Sequence, residues 1–367
     1  MKNSNQLLAS IAVACALAAT VRLTSVRADS DNASSDGAVV IRDVSVPLSS
    51  LLSPEARAYM IHLIRDHPFR GGPSETDDLQ GFRAHQDQIM NGFLGPMRRR
   101  YSVDVESQTI AGIRTDIVTP KGGVSSKNRN NVLINVHGGG FVSGARTSAL
   151  IESIPIAAIA KIKVITLDYR MWPENKFPAA SEDVAEVYKE LLKKYDPEHV
   201  GLYGCSAGGM LTGMSIAWFQ KHKLPSPAAA GVLCASLGDM FAGDAAHLAG
   251  PLNGMTMLPR SASRPSAPVR GGFGYLSDAD LKDPLVFPIN SSGVLAKFPP
   301  TLLLTSTRGF EFSSAIDTHN ALVRAGVDAE LHVWDGLPHA FWYNSDLPES
   351  REAYDVIARF FERHLAN

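Results

Sequence analysis

"LYGCSAGGM", residues 202–210, decides how this chain is read. An apolar run, "VGLYG", stops at a glycine and a serine stands two positions later. Gly204 and Gly208 flank Ser206 at minus two and plus two. A strand that turns at once into a helix needs this spacing. The turn residue sits in strained backbone geometry, and small neighbours on each side avoid a clash. The turn lifts the hydroxyl above the strand ends, where the helix N-terminus favours negative charge. Ser206 is therefore the candidate nucleophile. Glycine-rich turns that only pack a helix on a strand carry the same letters; the position after a strand and before a helix favours the chemical reading.

Outward from that turn, short apolar runs alternate with helical segments. "NVLINVH" leads to a helix over about 147–159, "KVITLDY" to one over 180–194, and "VGLYG" to one over 206–222. "AAAGVLCAS" opens an irregular insert, 238–297. "TLLLTST" precedes "SSAIDTHNALVRAG", with Ser313 or Ser314 as N-cap and Gly326 beyond the C-cap. "AELHVWDG" and a helix over 348–366 close the chain, while "YSVDVES" and "GIRTDIVTP" alternate like strands with one wet face. Strands apolar on both faces, separated by helices, predict an α/β fold: an eight-stranded, mostly parallel sheet covered on both sides. Two helical segments come earlier, "SPEARAYMIHLIRDH", with Ser53 as N-cap and Pro54 at N1, and "LQGFRAHQDQIMNGFL". The expected organisation is a leader over 1–28, a disordered lead-in with cap helices over 29–100, and a catalytic domain over 101–367.

Two further stretches carry chemistry. In "NVHGGGFVSG", 135–144, consecutive glycines let backbone N–H groups converge on one point. With the N–H of Ala207, those of Gly139 and Gly140 form a candidate oxyanion hole. A phosphate-binding turn is the competing reading, but the Lys–Ser/Thr ending of a P-loop is missing. His137 precedes the glycines and is expected to fix the loop by hydrogen bonding. In "WDGLPHAFWY", 334–343, His339 stands in a loop after the last strand, on the rim where Ser206 belongs, and is the candidate base.

"HGGG", "DYRMWPENKFPAA" (168–180), "GCSAGG" and "PHAF" together resemble the hormone-sensitive-lipase-like family of α/β-hydrolases, whose bacterial members are carboxylesterases. The resemblance covers about 100–367. It implies the α/β-hydrolase fold with an N-terminal helical cap, and Ser206, His339 and the three N–H groups as the working positions. It also raises a difficulty, because the family's catalytic aspartate falls on Gly309. In "LLLTSTRGFEF", 302–312, the carboxylate has three possible fates. Glu311 swings in, which requires the loop to fold back over a displacement of roughly 6–7 Å, with Gly309 allowing it. Asp239, after the neighbouring strand, reaches the same ring. Or water or a backbone carbonyl orients His339. Cys205 replaces the family's more usual aspartate before the serine.

The implied function is hydrolysis of small apolar esters or lactones through an acyl-serine, in a pocket walled by the cap helices and the insert. The alternative from another class is a small-ligand-binding protein on a decayed hydrolase scaffold, motivated by Gly309. A peptidase ranks lower, since an amide leaving group demands more of the histidine. A net charge of −2 over 367 residues offers no basic field for nucleic acid. No metal-ligand spacing stands out and serine chemistry needs no cofactor. After Lys2, "LLASIAVACALAATV" ends near "VRADS", where Val26 and Ala28 fit a small-x-small cleavage site before Asp29. The run is too short for a comfortable membrane span. A secretory leader and an exported (periplasmic or secreted) protein are expected, ahead of an uncleaved anchor or lipidation at Cys15. Cys205 and Cys234 are expected as buried free thiols, although a bridge between strand ends is allowed. The oligomeric state is open, a homodimer being among the states allowed.

Overall fold

A computed structural model describes residues 44–66, 78–254 and 273–366. The leader, its cleavage site and part of the insert lie outside the described residues. The described residues from Leu48 onward form one compact unit.

Eight strands make one sheet in the order β1-β2-β4-β3-β5-β6-β7-β8. They are β1 (Val103–Ile110), β2 (Ile113–Pro120), β3 (Val132–Asn135), β4 (Lys163–Leu167), β5 (Val200–Cys205), β6 (Ala229–Leu233), β7 (Thr301–Arg308) and β8 (Ala329–Pro338). β1 and β2 are antiparallel, as are β2 and β4, and every other pairing is parallel. The central strands β3, β5 and β6 are buried at every position, whereas the edge strand β1 is exposed along most of its length. Successive strand residues feed opposite cores, as a two-residue period dictates. Val132, Ile134, Leu202 and Val232 pack on one face with α4 (Ala179–Leu191) and α5 (Ala207–Lys221). Leu133, Tyr203 and Leu233 pack on the other with α3 (Ser148–Ala160) and α9 (Pro348–His364).

Among the described residues two helices precede the sheet, α1 (Pro54–Asp66) and α2 (Leu79–Arg100). The Ser53 hydroxyl accepts from Ala56 N at 3.1 Å, the cap expected of it. α2 outruns the expected segment by a turn and a half and ends in three arginines, Arg98, Arg99 and Arg100, which suit the negative end of the helix. The described part of the insert holds α6 (Ala245–Leu252) and the single turn α7 (Ser292–Leu295).

One helix start departs from the sequence reading. α8 (Phe312–Arg324) is preceded by Glu311 at its N-cap, not by Ser313 or Ser314. The chain has already turned: Gly309 N donates to Ser306 O at 2.9 Å and Phe312 N to Gly309 O at 3.2 Å. The two serines serve inside the first turn instead. Ser314 Oγ donates to Glu311 O at 2.9 Å, and Ser313 Oγ accepts from Ala245 N at 3.0 Å. Gly326, with φ +83°, follows the helix as expected.

Candidate active site

Ser206 occupies φ 58°, ψ −124°, a region that costs a residue with a side chain about 1–3 kcal/mol. Its N–H donates to Leu233 O at 2.8 Å, and its carbonyl accepts from Met210 N at 3.1 Å, so the turn is held from both sides. The flanking glycines are needed for space. A Cβ on Gly204 would stand 2.0 Å from Val136 O, and one on Gly208 only 1.8 Å from the same oxygen. The serine turn is thus wedged against the end of β3. Within residues 200–210 only Ser206 is partly exposed.

The loop after β3 carries the three glycines. Gly139 has φ +122° and Gly140 φ +66°, and Ser143 N donates back to Gly139 O at 3.0 Å. Among the described residues no acceptor meets the N–H groups of Gly139, Gly140 and Ala207. Gly139 and Gly140 are partly exposed, like Ser206. His137 is buried behind the loop. Its Nδ1 donates to Gly138 O at 2.8 Å, and its ring stacks on Tyr169 at 4.4 Å. Burial holds its pKa below the ordinary value, so the ring is neutral and fixes the loop rather than moving protons. α2 is attached to the same loop. Arg83 donates to Val142 O at 2.7 Å and Trp172 O at 3.0 Å while pairing with Glu174, and Thr147 donates to Asp87 at 2.8 Å.

His339 directly follows β8, and Ser206 directly follows β5. Because β5, β6, β7 and β8 are parallel, both residues emerge at the same edge of the sheet. β8 carries two extra residues where Ser306 pairs with Trp334 and Arg308 with Pro338, which sets where the strand releases His339. Phe310 lies against the imidazole at 4.3 Å and stacks on Phe241 at 4.7 Å.

Of the three fates left open for the carboxylate, the structure brings Glu311 to the histidine. Glu311 Oε2 stands 2.7 Å from His339 Nδ1, and its Oε1 accepts from Thr305 Oγ1 at 2.9 Å. The Glu311 side chain is fully buried, whereas His339 keeps 22% of its side chain exposed, enough to meet a ligand. Burial alone raises a carboxyl pKa, but the charge of His339 and the hydrogen bonds outweigh it, and Glu311 ends below the ordinary value. Burial pulls the imidazole down, and Glu311 more than reverses this, so His339 ends above 6.5. Neutral His339 therefore carries its proton on Nδ1 and leaves Nε2 able to accept one.

Gly309 explains the exchange of positions, though not through backbone freedom. A Cβ there would lie 2.5 Å from Glu311 Oε1 and 2.9 Å from its Cδ. The space of a side chain at 309 is already filled by the Glu311 carboxylate. Asp239 is engaged elsewhere: its Oδ1 accepts from Phe241 N at 2.9 Å and closes its own turn. Cys205 and Cys234 are buried free thiols, as expected.

Sequence reasoning missed Glu152, Arg83 and Phe310. Glu152 had a signal: it is the only charged residue in "SALIESIPIAAIA", a helix otherwise suited to complete burial. Among the described residues no group of three or more His, Cys, Asp or Glu is placed to hold a metal ion, and no helix is long and apolar enough to cross a membrane.

Comparison with known proteins agrees with this fold. A family model described as alpha/beta hydrolase fold matches residues 133–343. The chain is 28% identical over 282 residues to an acetyl-hydrolase of Streptomyces hygroscopicus, covering 74% of this chain and 90% of that one. Among solved structures, the esterase E25 superposes with a TM-score of 0.75 at 28% identity, over 90% of this chain and 99% of that one. An esterase from the bacterial hormone-sensitive lipase family gives 0.72 at 26%, over 86% and 99%. The chain belongs to the α/β-hydrolase fold family, on its hormone-sensitive-lipase-like, carboxylesterase side.

Proposed function

We propose that this carboxylic-ester hydrolase works through an acyl-serine on Ser206, with Glu311 as the acid of its triad. Ser206 Oγ attacks the ester carbonyl carbon while His339 Nε2 takes its proton. The N–H groups of Gly139, Gly140 and Ala207 receive the oxyanion. Collapse of the tetrahedral intermediate expels the alcohol, which takes the proton from His339. Water then attacks the acyl-serine by the same route, releasing the acid and restoring the serine. Glu311 holds the imidazole in the useful tautomer and stabilises the imidazolium. The observation that carries this reading is the 2.7 Å contact between Glu311 and His339, at the sheet edge where the strained Ser206 also emerges.

The substrates proposed are small apolar esters or lactones. The aromatic wall of Phe241 and Phe310 beside His339 supports an apolar pocket. The decayed-scaffold reading drew on the missing acid at 309, and the contact made by Glu311 removes that motive. The test is a p-nitrophenyl ester panel, C2 to C12, with labelling by a fluorophosphonate. Turnover of the short esters and labelling lost in Ser206→Ala, with kcat down by about 10⁴-fold or more, is the expected outcome. A folded wild type that neither turns over any ester nor labels would favour the binding protein. Because His339 must be neutral to act, kcat/KM is expected to rise with pH through a limb above the ordinary histidine value of 6.5.

Export is part of the proposal. The protein recovered from outside the cytoplasm should begin at Asp29 by N-terminal mass spectrometry; a chain recovered only in the cytoplasm with Met1 intact contradicts it.

A further inference from the structure

Glu152 is a buried carboxylate that the reaction above does not use. It sits on α3, behind both the glycine loop and the serine turn, with no exposed surface. Four groups donate to it. Its Oε1 receives Gly138 N–H at 2.8 Å and the Tyr343 hydroxyl. Its Oε2 receives Asn135 Nδ2 at 2.8 Å and Cys205 N–H at 3.2 Å. The orientation of the Asn135 amide is fixed, since its Oδ1 accepts from Thr166 Oγ1 at 2.8 Å. Gly138 immediately precedes the N–H groups assigned to the oxyanion hole, and Cys205 immediately precedes Ser206. One side chain therefore ties together the loop that follows β3 and the end of β5, at the residue next to each working group.

We propose that Glu152 is a positioning residue for this reaction, its ionised carboxylate holding the oxyanion loop and the nucleophile turn in mutual register. The proposal rests on the ester-hydrolase reading of the site. An ionised carboxylate has two oxygens and only acceptor capacity, which four convergent donors satisfy. A glutamine cannot do this. Whichever way its amide is turned, its NH₂ faces two donors and one of the two ties is lost. A proton on the carboxyl forces the Tyr343 hydroxyl to reverse from donor to acceptor and weakens Oε1 as an acceptor for Gly138. The register should therefore loosen as Glu152 gains a proton.

That protonation falls within reach of ordinary conditions. Burial raises the Glu152 carboxyl to about 7, against the pull of its four hydrogen bonds, that of Tyr343 foremost. The titratable groups facing it are the Tyr343, Tyr203 and Tyr169 phenols and the Cys205 thiol, all kept neutral by burial. No cation stands among its hydrogen-bond partners. The acid limb of kcat then contains two ionisations, His339 and Glu152, and only the second responds to Tyr343.

The experiment is steady-state kinetics with p-nitrophenyl acetate from pH 5 to 9 on the wild type, Glu152→Gln and Tyr343→Phe, with thermal melts of each. Glu152→Gln is expected to lower kcat by about 10²-fold while KM stays within about threefold, the pattern of a misplaced oxyanion donor. Tyr343→Phe removes one hydrogen bond from the carboxylate. It is expected to lower kcat severalfold and to move the acid limb to higher pH. A Glu152→Gln enzyme that melts like the wild type and keeps kcat within threefold overturns the proposal. So does a Tyr343→Phe acid limb that does not move, which decides the matter if Glu152→Gln fails to fold. An inactive wild type overturns the ester-hydrolase reading itself, a different result from an active wild type indifferent to Glu152.

Discussion

The serine turn and the loop 309–311 lie at the same edge of one sheet, yet they are specified in opposite ways. At the turn, backbone meets backbone. Val136 O stands where a Cβ on Gly204 or Gly208 would have to go, at 2.0 and 1.8 Å. No residue but glycine fits, so the geometry writes itself into the sequence at fixed positions. At 309–311 a side chain reaches across space to an imidazole. A carboxylate can arrive at that point from more than one anchor, provided the chain folds accordingly. Glu311 arrives from two residues further on, with the turn Gly309 N to Ser306 O bringing its Cα back. Backbone contacts constrain residue identity, whereas side-chain contacts constrain only where the functional group ends up.

The largest test of this contrast is Gly208→Ala. A methyl group 1.8 Å from a carbonyl oxygen forces the turn and β3 apart. Thermal and urea melts should show a loss of about 3 kcal/mol or more, with esterase activity abolished. Near-normal stability and activity would mean that the turn is not wedged.

Next is a transplant. Gly309→Asp alone should be harmful, because its Cβ lands 2.5 Å from Glu311 Oε1. Placed in a Glu311→Ala background, the same aspartate enters a vacated space. There it should recover kcat by about 10²-fold over Glu311→Ala alone, a fraction of the roughly 10⁴-fold that a triad acid is worth. An unrecovered double variant with an intact melt would show that position 309 cannot serve the histidine.

The smallest effect is expected at Thr305→Val. It removes the hydroxyl that donates to Glu311 Oε1 at 2.9 Å, leaving one buried acceptor without its partner. Glu311 should rise toward the ordinary carboxylate value, since this bond helps to hold it down. A fall in kcat of about three- to tenfold and a stability loss of about 1 kcal/mol follow. An unchanged kcat would place the second oxygen of Glu311 outside the machinery.

Most of the sheet was legible because its signals are local. The short, mostly apolar runs of β3, β5 and β6 suit strands buried on both faces, and the two strands of alternating pattern proved to be the antiparallel margin. What escaped was non-local. Residue preference points to Ser313 or Ser314 as the N-cap of α8, while Glu311 takes it because the turn at Gly309 starts the helix earlier. The choice between Glu311 and Asp239 depended on which side chain a turn had already used, and Asp239 closes its own. Glu152 was conspicuous as a charge in an apolar helix, but its four donors come from three separate segments of the chain.

The most direct test compares kcat for a short p-nitrophenyl ester at pH 8 in Glu311→Gln and Asp239→Asn. Glu311→Gln should melt like the wild type and lose about 10³- to 10⁴-fold in kcat. Its remaining activity should show an acid limb moved to lower pH, since the carboxylate is what lifts His339. Asp239→Asn should stay within about threefold of the wild type. A Glu311→Gln enzyme as fast as the wild type, or a collapse in Asp239→Asn instead, would contradict the assignment of Glu311.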